Sequence, residues 1–383
     1  EKGLEWQKEW RGSGGSAPQN GITKACYRGC NAFWLSLISM MKGYDDYRQT
    51  YAATYRYSVK GDVVGARARN FDSAIEASLF PDRIPVAVYD NLLSGIEAMR
   101  PAMKKYMELR KKKLGVDEVH LYDLYVSIVD DFDMKLTYPE AFQVVKKGLA
   151  PLGEHYAQLL DEAYNNHWID VYENRGKHSG AYSWGTYGAH PYVLMNFTED
   201  LNGTTTLAHE LGHAFNNRML RHKPLMMNDT PMPLAETAST FNETLLIAQL
   251  LKDATPEEEL TLLDSCLVEQ TQTMGDIYSR FLFEQKVVAA QADHALDVDE
   301  LKETMLWAQD QSYGDGLDPA FRHPYMWACK SHYYSPNVHF YNFPYAFGGL
   351  FARGLYAKYR EEGAAFVPKY KALLHATTVL SAE

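Results

Sequence analysis

Residues 206–213 read TLAHELGH, and this spacing restricts the local fold more than any other feature of the chain. An α-helix turns about 100° per residue, so positions i and i+4 lie one above the other and His209 and His213 share a face. Two imidazoles so placed can grip one metal ion, with Glu210 directly beside the first. The surrounding residues suit a helix. Thr204 to Thr206 offer N-caps, Leu207, Ala208 and Leu211 supply a packing face, and Gly212 is expected to keep bulk away from the metal side. The competing reading is a helix with two satisfied core histidines.

Such a helix needs a core to lie against, and the composition provides one. Of 383 residues, 46% are hydrophobic and 13% aromatic, enough for one large domain or two smaller ones. Residues 11–21, RGSGGSAPQNG, combine Gly, Ser and Pro without periodicity, so 1–32 are expected to be a linker-like tail and 33–383 the folded domain. Val88, Leu92, Ile96, Met99, Met103 and Tyr106 recur at three- and four-residue spacing and predict a long amphipathic helix with Pro101 as a kink point. Helical patterns recur at 138–164, 203–221, 233–252, 256–291, 298–312 and 340–360; Thr255, Pro256 and Glu257 to Glu259 mark one start. Strand character is scarce and concentrates in SGAYSWGTYG (179–188) and HPYVLMNFT (190–198). The expected architecture is mainly α, with one small β-sheet beside the helix that carries His209.

Charge and targeting signals narrow the partners. The net charge is −11, with 38 basic residues well dispersed, and Lys111 to Lys113 end a helical pattern as a solvated face, which argues against nucleic acid and anionic membrane. No apolar run approaches the roughly 18 residues that span a bilayer, and the opening EKGLEWQKEW lacks an apolar signal region. Cys26, Cys30, Cys266 and Cys329 form no zinc or redox pattern and read as reduced thiols, so a cytoplasmic location is expected.

A catalytic zinc site uses three protein ligands and leaves a fourth position for water. The third ligand is not the histidine of an H-x-x-G-x-x-H continuation, because Asn216 and Met219 stand at those two places. Downstream, PLAETASTFNETLL (233–246) predicts a second helix with Glu236 and Glu243, and Glu236 follows His213 by 23 residues, room for a loop and a return. Glu236 is the candidate carboxylate ligand. Glu243, two turns further on nearly the same face, would either hold a ligand imidazole or make a surface or structural salt bridge.

Together HELGHAFN, AETASTFNE and GAYSWGTYGAHPYVLMNF resemble the M3 metallopeptidases, and within them the oligoendopeptidase F branch, related to thimet oligopeptidase and neurolysin; the likeness extends from about residue 45 to 360. The resemblance implies a zincin-like helical catalytic domain with a deep channel, one Zn²⁺ per chain held by His209, His213 and Glu236, Glu210 as general base, and short peptides as substrates. Relatives in that branch carry a further N-terminal region that forms one channel wall. Here only 1–32 stands in its place, so much of that region is expected to be missing.

The segment KSHYYSPNVHFYNFPYAFGG (330–349) is dense in His and Tyr. Tyr341 and Tyr345 would share a face of a helix beginning near residue 339, although Pro344 makes its first turn irregular. The resemblance implies catalytic roles for His332, Tyr341 and Tyr345 in stabilising the tetrahedral intermediate, and a substrate contact for His339; core packing stays open for the tyrosines and for His339. Gly180, Ala181 and Tyr182 are candidates for pairing an extended peptide along an edge strand, since small residues let another backbone approach. Recognition through main chain would tolerate many side chains and limit substrates by length.

Two functions are compatible with these readings. One is a zinc-dependent oligoendopeptidase with Glu210 as base. The other is a zinc-stabilised, peptide-binding but inactive module. Glu210 favours the first, because a structural zinc site fills all four positions with protein ligands and needs no base.

Overall fold

The computed structural model describes residues 42–129, 135–228, 230–291, 293–335 and 339–378. The expected tail 1–32, with Cys26 and Cys30, lies outside them. In chain order the main elements are α1 (Arg48–Ala68), α2 (Ala74–Leu79), α3 (Val86–Leu114), α4 (Tyr138–Leu149), α5 (Glu154–Asn165), β1 (Ile169–Asp170), β2 (Tyr182–Trp184), β3 (Tyr192–Leu194), α6 (Leu201–Leu220), α7 (Met232–Asp253), α8 (Pro256–Thr271), α9 (Tyr278–Ala290), α10 (Val298–Tyr313), α11 (Phe343–Glu362) and α12 (Phe366–Ala376). The fold is mainly helical with one three-stranded sheet.

Two helical expectations need correction, each for a local reason. The pattern at 138–164 is two helices: Pro151 and Gly153, the latter at φ 89°, interrupt it between α4 and α5. The pattern at 256–291 is helical throughout 256–290, with a π-helical turn, Gln272–Ile277, between α8 and α9. The last pattern begins at Phe343 rather than near 339, because Pro344 occupies the first turn, where a missing N–H costs nothing, and Phe340 takes a left-handed φ of 54°. Tyr341 is therefore not on a helix with Tyr345. Helix α3, by contrast, continues through Pro101. Thr255 and Glu258 cap α8 reciprocally, Thr255 N–H donating to Glu258 Oε2 at 2.7 Å and Glu258 N–H to Thr255 Oγ1 at 3.3 Å.

The chain divides into two units: 1–78, 90–130 and 263–342 in the first, and 79–89, 131–262 and 343–383 in the second. The first is centred on Tyr55, Phe283, Met305, Trp327 and Tyr333, all buried. The second gathers Phe142 and Val145 of α4, Tyr156 and Leu160 of α5, Leu207, Leu211 and Phe215 of α6, and Phe241 and Leu245 of α7. Each fully buried Leu or Phe contributes about 1.5–3 kcal/mol relative to exposure, so α6 is anchored by the face opposite its histidines. The sheet has the order β1-β3-β2; β1 runs parallel to β3 and β2 antiparallel, with Ser183 opposite Val193. No helix among the described residues is long and apolar enough to cross a membrane. Cys329 is a free thiol.

Candidate metal centre

Helix α6 starts earlier than the threonines suggest. Its N-cap is Asp200, whose Oδ1 accepts the Gly203 N–H at 2.7 Å, and Thr204 turns its hydroxyl back to the Asp200 carbonyl. Gly212 also has a different role from the one expected: a Cβ there would lie 2.6 Å from both the Ala238 carbonyl oxygen and the Ser239 Cα. It is the point at which the backbones of α6 and α7 touch, not a gap on the metal side. Asn242, buried on α7, donates from Nδ2 to the Ala208 carbonyl at 2.9 Å and fixes the register of the two helices. On its other side α7 meets α11, where a Cβ at Gly348 would lie 2.8 Å from Glu236 Cβ.

These contacts bring three donor atoms together. His209 Nε2 and His213 Nε2 are 3.2 Å apart, and Glu236 Oε2 lies 3.2 Å from the first and 3.4 Å from the second. A tetrahedral Zn²⁺ with ligands at 2.0–2.1 Å separates its ligand atoms by about 3.3–3.4 Å. The triangle therefore has the size that such an ion demands, and it is the only cluster of three metal-ligating side chains among the described residues. Two imidazoles and one carboxylate also suit a borderline-soft ion.

The neighbouring groups fit the same reading. Glu243 Oε1 takes the Nδ1 side of His209, which turns Nε2 toward the triangle. Ser239 Oγ donates to Glu236 Oε2 at 3.0 Å. Burial disfavours a charge on His209, yet the Glu243 and Glu236 carboxylates outweigh it and raise its pKa well above the usual value. Burial likewise works against ionised Glu236, but hydrogen bonds and charge from both histidines hold it far below the ordinary carboxylate range. Glu210 is buried, with 4% exposure, and its Oε2 has no hydrogen-bond partner. Burial raises its pKa, partly offset by the two histidines.

The other candidates are distributed more widely. Tyr345 lies on α11 one turn before Gly348 and is 41% exposed. Tyr182 opens β2 and is exposed, whereas Gly180 precedes the strand at φ 81° with its carbonyl taken by Asn196 Nδ2 at 2.9 Å. Ala181 packs on the core of the second unit. At the far end of β2, a Cβ at Gly185 would meet the Asn217 side chain at 2.7 Å; Asn217 follows His213 by four residues, so the strand runs beside the helix face that carries the donors. His332, His339 and Tyr341 belong to the first unit. There His339 Nε2 is 2.6 Å from Asp62 Oδ2 with its side chain buried. His332 packs its ring 5.3 Å from that of Tyr341. The spacing arguments missed Gly212, Asn242 and Gly348, whose roles exist only across helix pairs.

Comparison with known proteins was made against families, curated sequences and solved structures. The model of peptidase family M3 matches residues 34–376, and the model of the N-terminal domain of anti-restriction factor ArdC matches residues 1–62. Oligopeptidase PepF of Bacillus subtilis is 37% identical over 337 residues, covering 87% of this chain and 50% of that protein. The chromosomal oligoendopeptidase F of Lactococcus lactis subsp. cremoris is 35% identical over 315 residues, covering 81% and 51%. Among solved structures, a putative peptidase from Chlamydophila abortus superimposes with a TM-score of 0.77 at 30% identity, covering 91% of this chain and 58% of that one. Oligoendopeptidase-F from Enterococcus faecium gives 0.66 at 25% identity, covering 88% and 54%. The chain spans about half the length of the curated relatives it matches.

Proposed function

The chain belongs to peptidase family M3, and we propose that it is a zinc-dependent endopeptidase that hydrolyses internal bonds of short peptides. The observation that carries this reading is the donor triangle of His209, His213 and Glu236 with the partnerless Glu210 carboxylate on the same helix. Zinc held by those three residues would polarise the scissile carbonyl and make a water acidic enough to attack near neutral pH.

The remaining work falls to side chains of the chain itself. Glu210 accepts the proton of the attacking water at its carboxylate and returns it to the leaving amine. Glu243 keeps the His209 ring oriented and favours its electron donation. Tyr345, one turn before Gly348 on α11, is the candidate donor of a hydroxyl to the developing oxyanion. A peptide extended along β2, beside the donor face of α6, would be read mainly through its backbone.

The inactive peptide-binding alternative has no role for a buried, partnerless Glu210. The test is hydrolysis of a fluorogenic peptide of about eight residues by the chain stripped of metal and then titrated with zinc. Activity that rises with zinc and saturates near one ion per chain supports the proposal. Stoichiometric zinc uptake with no cleavage of any peptide would support the inactive module.

A further inference from the structure

A cavity of about 350 Å³ opens in the second unit between one face of α5 and the C-terminal ends of α6 and α12, and no residue of the metal centre lines it. That volume is within the range of small-molecule sites. Its charged lining consists of Arg218, Arg221 and Glu162, joined by the imidazoles of His155, His222 and His375. In a chain of net charge −11 this is a local surplus of positive and N–H-bearing groups.

Much of that donor capacity is unspent. Arg218 Nη2 donates to Glu162 Oε2 at 3.0 Å, which neutralises the lining carboxylate, and the same guanidinium lies 5.9 Å from the centre of the Trp168 ring. Arg221 uses only Nε, donating to His222 Nε2 at 2.9 Å. A guanidinium has no acceptor, so His222 accepts at Nε2 and keeps its hydrogen on Nδ1. Among the described residues, neither terminal nitrogen of Arg221 and neither ring of His155 and His375 has a hydrogen-bonding partner.

The carbonyl end of α12, which would repel an anion, is covered. Lys223 Nζ donates to the His375 carbonyl and, at 2.8 Å, to the Thr378 hydroxyl. Burial lowers the pKa of Lys223 and of Lys371, one turn before His375, with no carboxylate offsetting it at either amine. Lys371 also reaches α5, since a Cβ at Gly153, just before that helix, would lie 4.0 Å from its Nζ. The three imidazoles belong to no cluster tight enough to hold a metal ion among the described residues, so the cavity offers charge and N–H donors rather than coordination.

We infer that this cavity binds a phosphate group, free or carried as a monoester by a small organic molecule, with Arg221 as its principal donor. The two uncommitted Nη groups of Arg221 form the fork that meets a phosphate through parallel N–H bonds, which a lysine cannot reproduce. A lone phosphate fills only part of the cavity, and the remainder has room for the organic portion of a monoester. Bound there, the anion ties α6 to α5 and α12 and stabilises the second unit. The inference is independent of the peptidase reading.

The test is isothermal titration of the full zinc-loaded chain with inorganic phosphate and, separately, with glycerol phosphate, at an ionic strength held constant with chloride. Wild type should show a saturable site, and Arg221→Gln should weaken it on the order of 10-fold or more with zinc content and helix content unchanged. Arg221→Lys, which keeps the charge and loses the fork, should recover only part of that loss. Tighter binding of glycerol phosphate than of phosphate assigns the site to a monoester, and equal or weaker binding assigns it to free phosphate. Absence of saturable binding of either compound to wild type overturns the inference without any variant having to fold. Binding that keeps its wild-type affinity in Arg221→Gln overturns it as well, because the anion then sits elsewhere, on the zinc ion for instance.

Discussion

Gly348 of α11 lies so close to Glu236 that a Cβ at position 348 would stand 2.8 Å from that of Glu236. The carboxylate that completes the donor triangle is thus seated by a neighbouring helix that can approach only because it has no side chain there. Gly348→Ala should push Glu236 off the two histidines and weaken zinc affinity by roughly 10–100-fold, the range seen when supporting residues of metal sites are lost. A competitive zinc titration measures this, with circular dichroism confirming that helix content is retained. Unchanged affinity would mean that α11 yields to the methyl group and does not position Glu236.

Glu243 is the support on the other side, holding the Nδ1 edge of His209. Glu243→Ala should cost a similar factor in zinc affinity, and Glu243→Gln less, because the amide oxygen can still accept the Nδ1 hydrogen. Equal losses in the two variants would show that the charge of Glu243 matters and its hydrogen bond does not.

A pH effect on stability is expected from the first unit. Glu284 is 2% exposed and accepts the Phe340 N–H at 3.0 Å. Burial pushes its pKa up to about 8, against the pull of that N–H and of Arg280, with the nearby Asp62 adding to the rise. The folded chain therefore keeps a proton that the unfolded chain releases near 4.5. The stability Glu284 contributes is fullest below that value, declines as pH rises from about 4.5 to about 8, and levels off above. Glu284→Gln keeps an accepting oxygen but has no proton to lose, so urea midpoints measured from pH 5 to 9 should fall less steeply in the variant than in wild type. Parallel curves would show that Glu284 is ionised in the folded protein.

Local periodicity made some of this site readable and left the rest hidden. His209, Glu210 and His213 share a face through helix geometry alone, and Glu236 could be reached because loop and helix lengths bound where a return helix can cross. Two of the three strands of the sheet beside α6 were also visible in their β-prone runs, whereas the two-residue β1 lies outside both. Gly212, Asn242 and Gly348 were not, since a glycine that lets two backbones touch looks in sequence like any other helix glycine. The start of α11 depended on how Pro344 would be accommodated, and periodicity placed Tyr341 on a helix that begins only at Phe343. The π turn at Gln272–Ile277 adds one residue to a helical turn and leaves no mark on an apolar stripe. Asn342 hydrogen-bonds Arg280, 62 positions earlier, a pairing that could only be found in three dimensions.

The central claim is that Glu210 moves the proton in a reaction supported by a metal on His209, His213 and Glu236. It is tested most directly by the turnover of Glu210→Gln at full zinc occupancy. The substitution leaves all three donors in place and removes only the ability to accept a proton, so the variant should keep one zinc per chain while kcat for a short peptide falls on the order of 10³-fold. A variant that retains its zinc and cleaves as fast as wild type would contradict the claim.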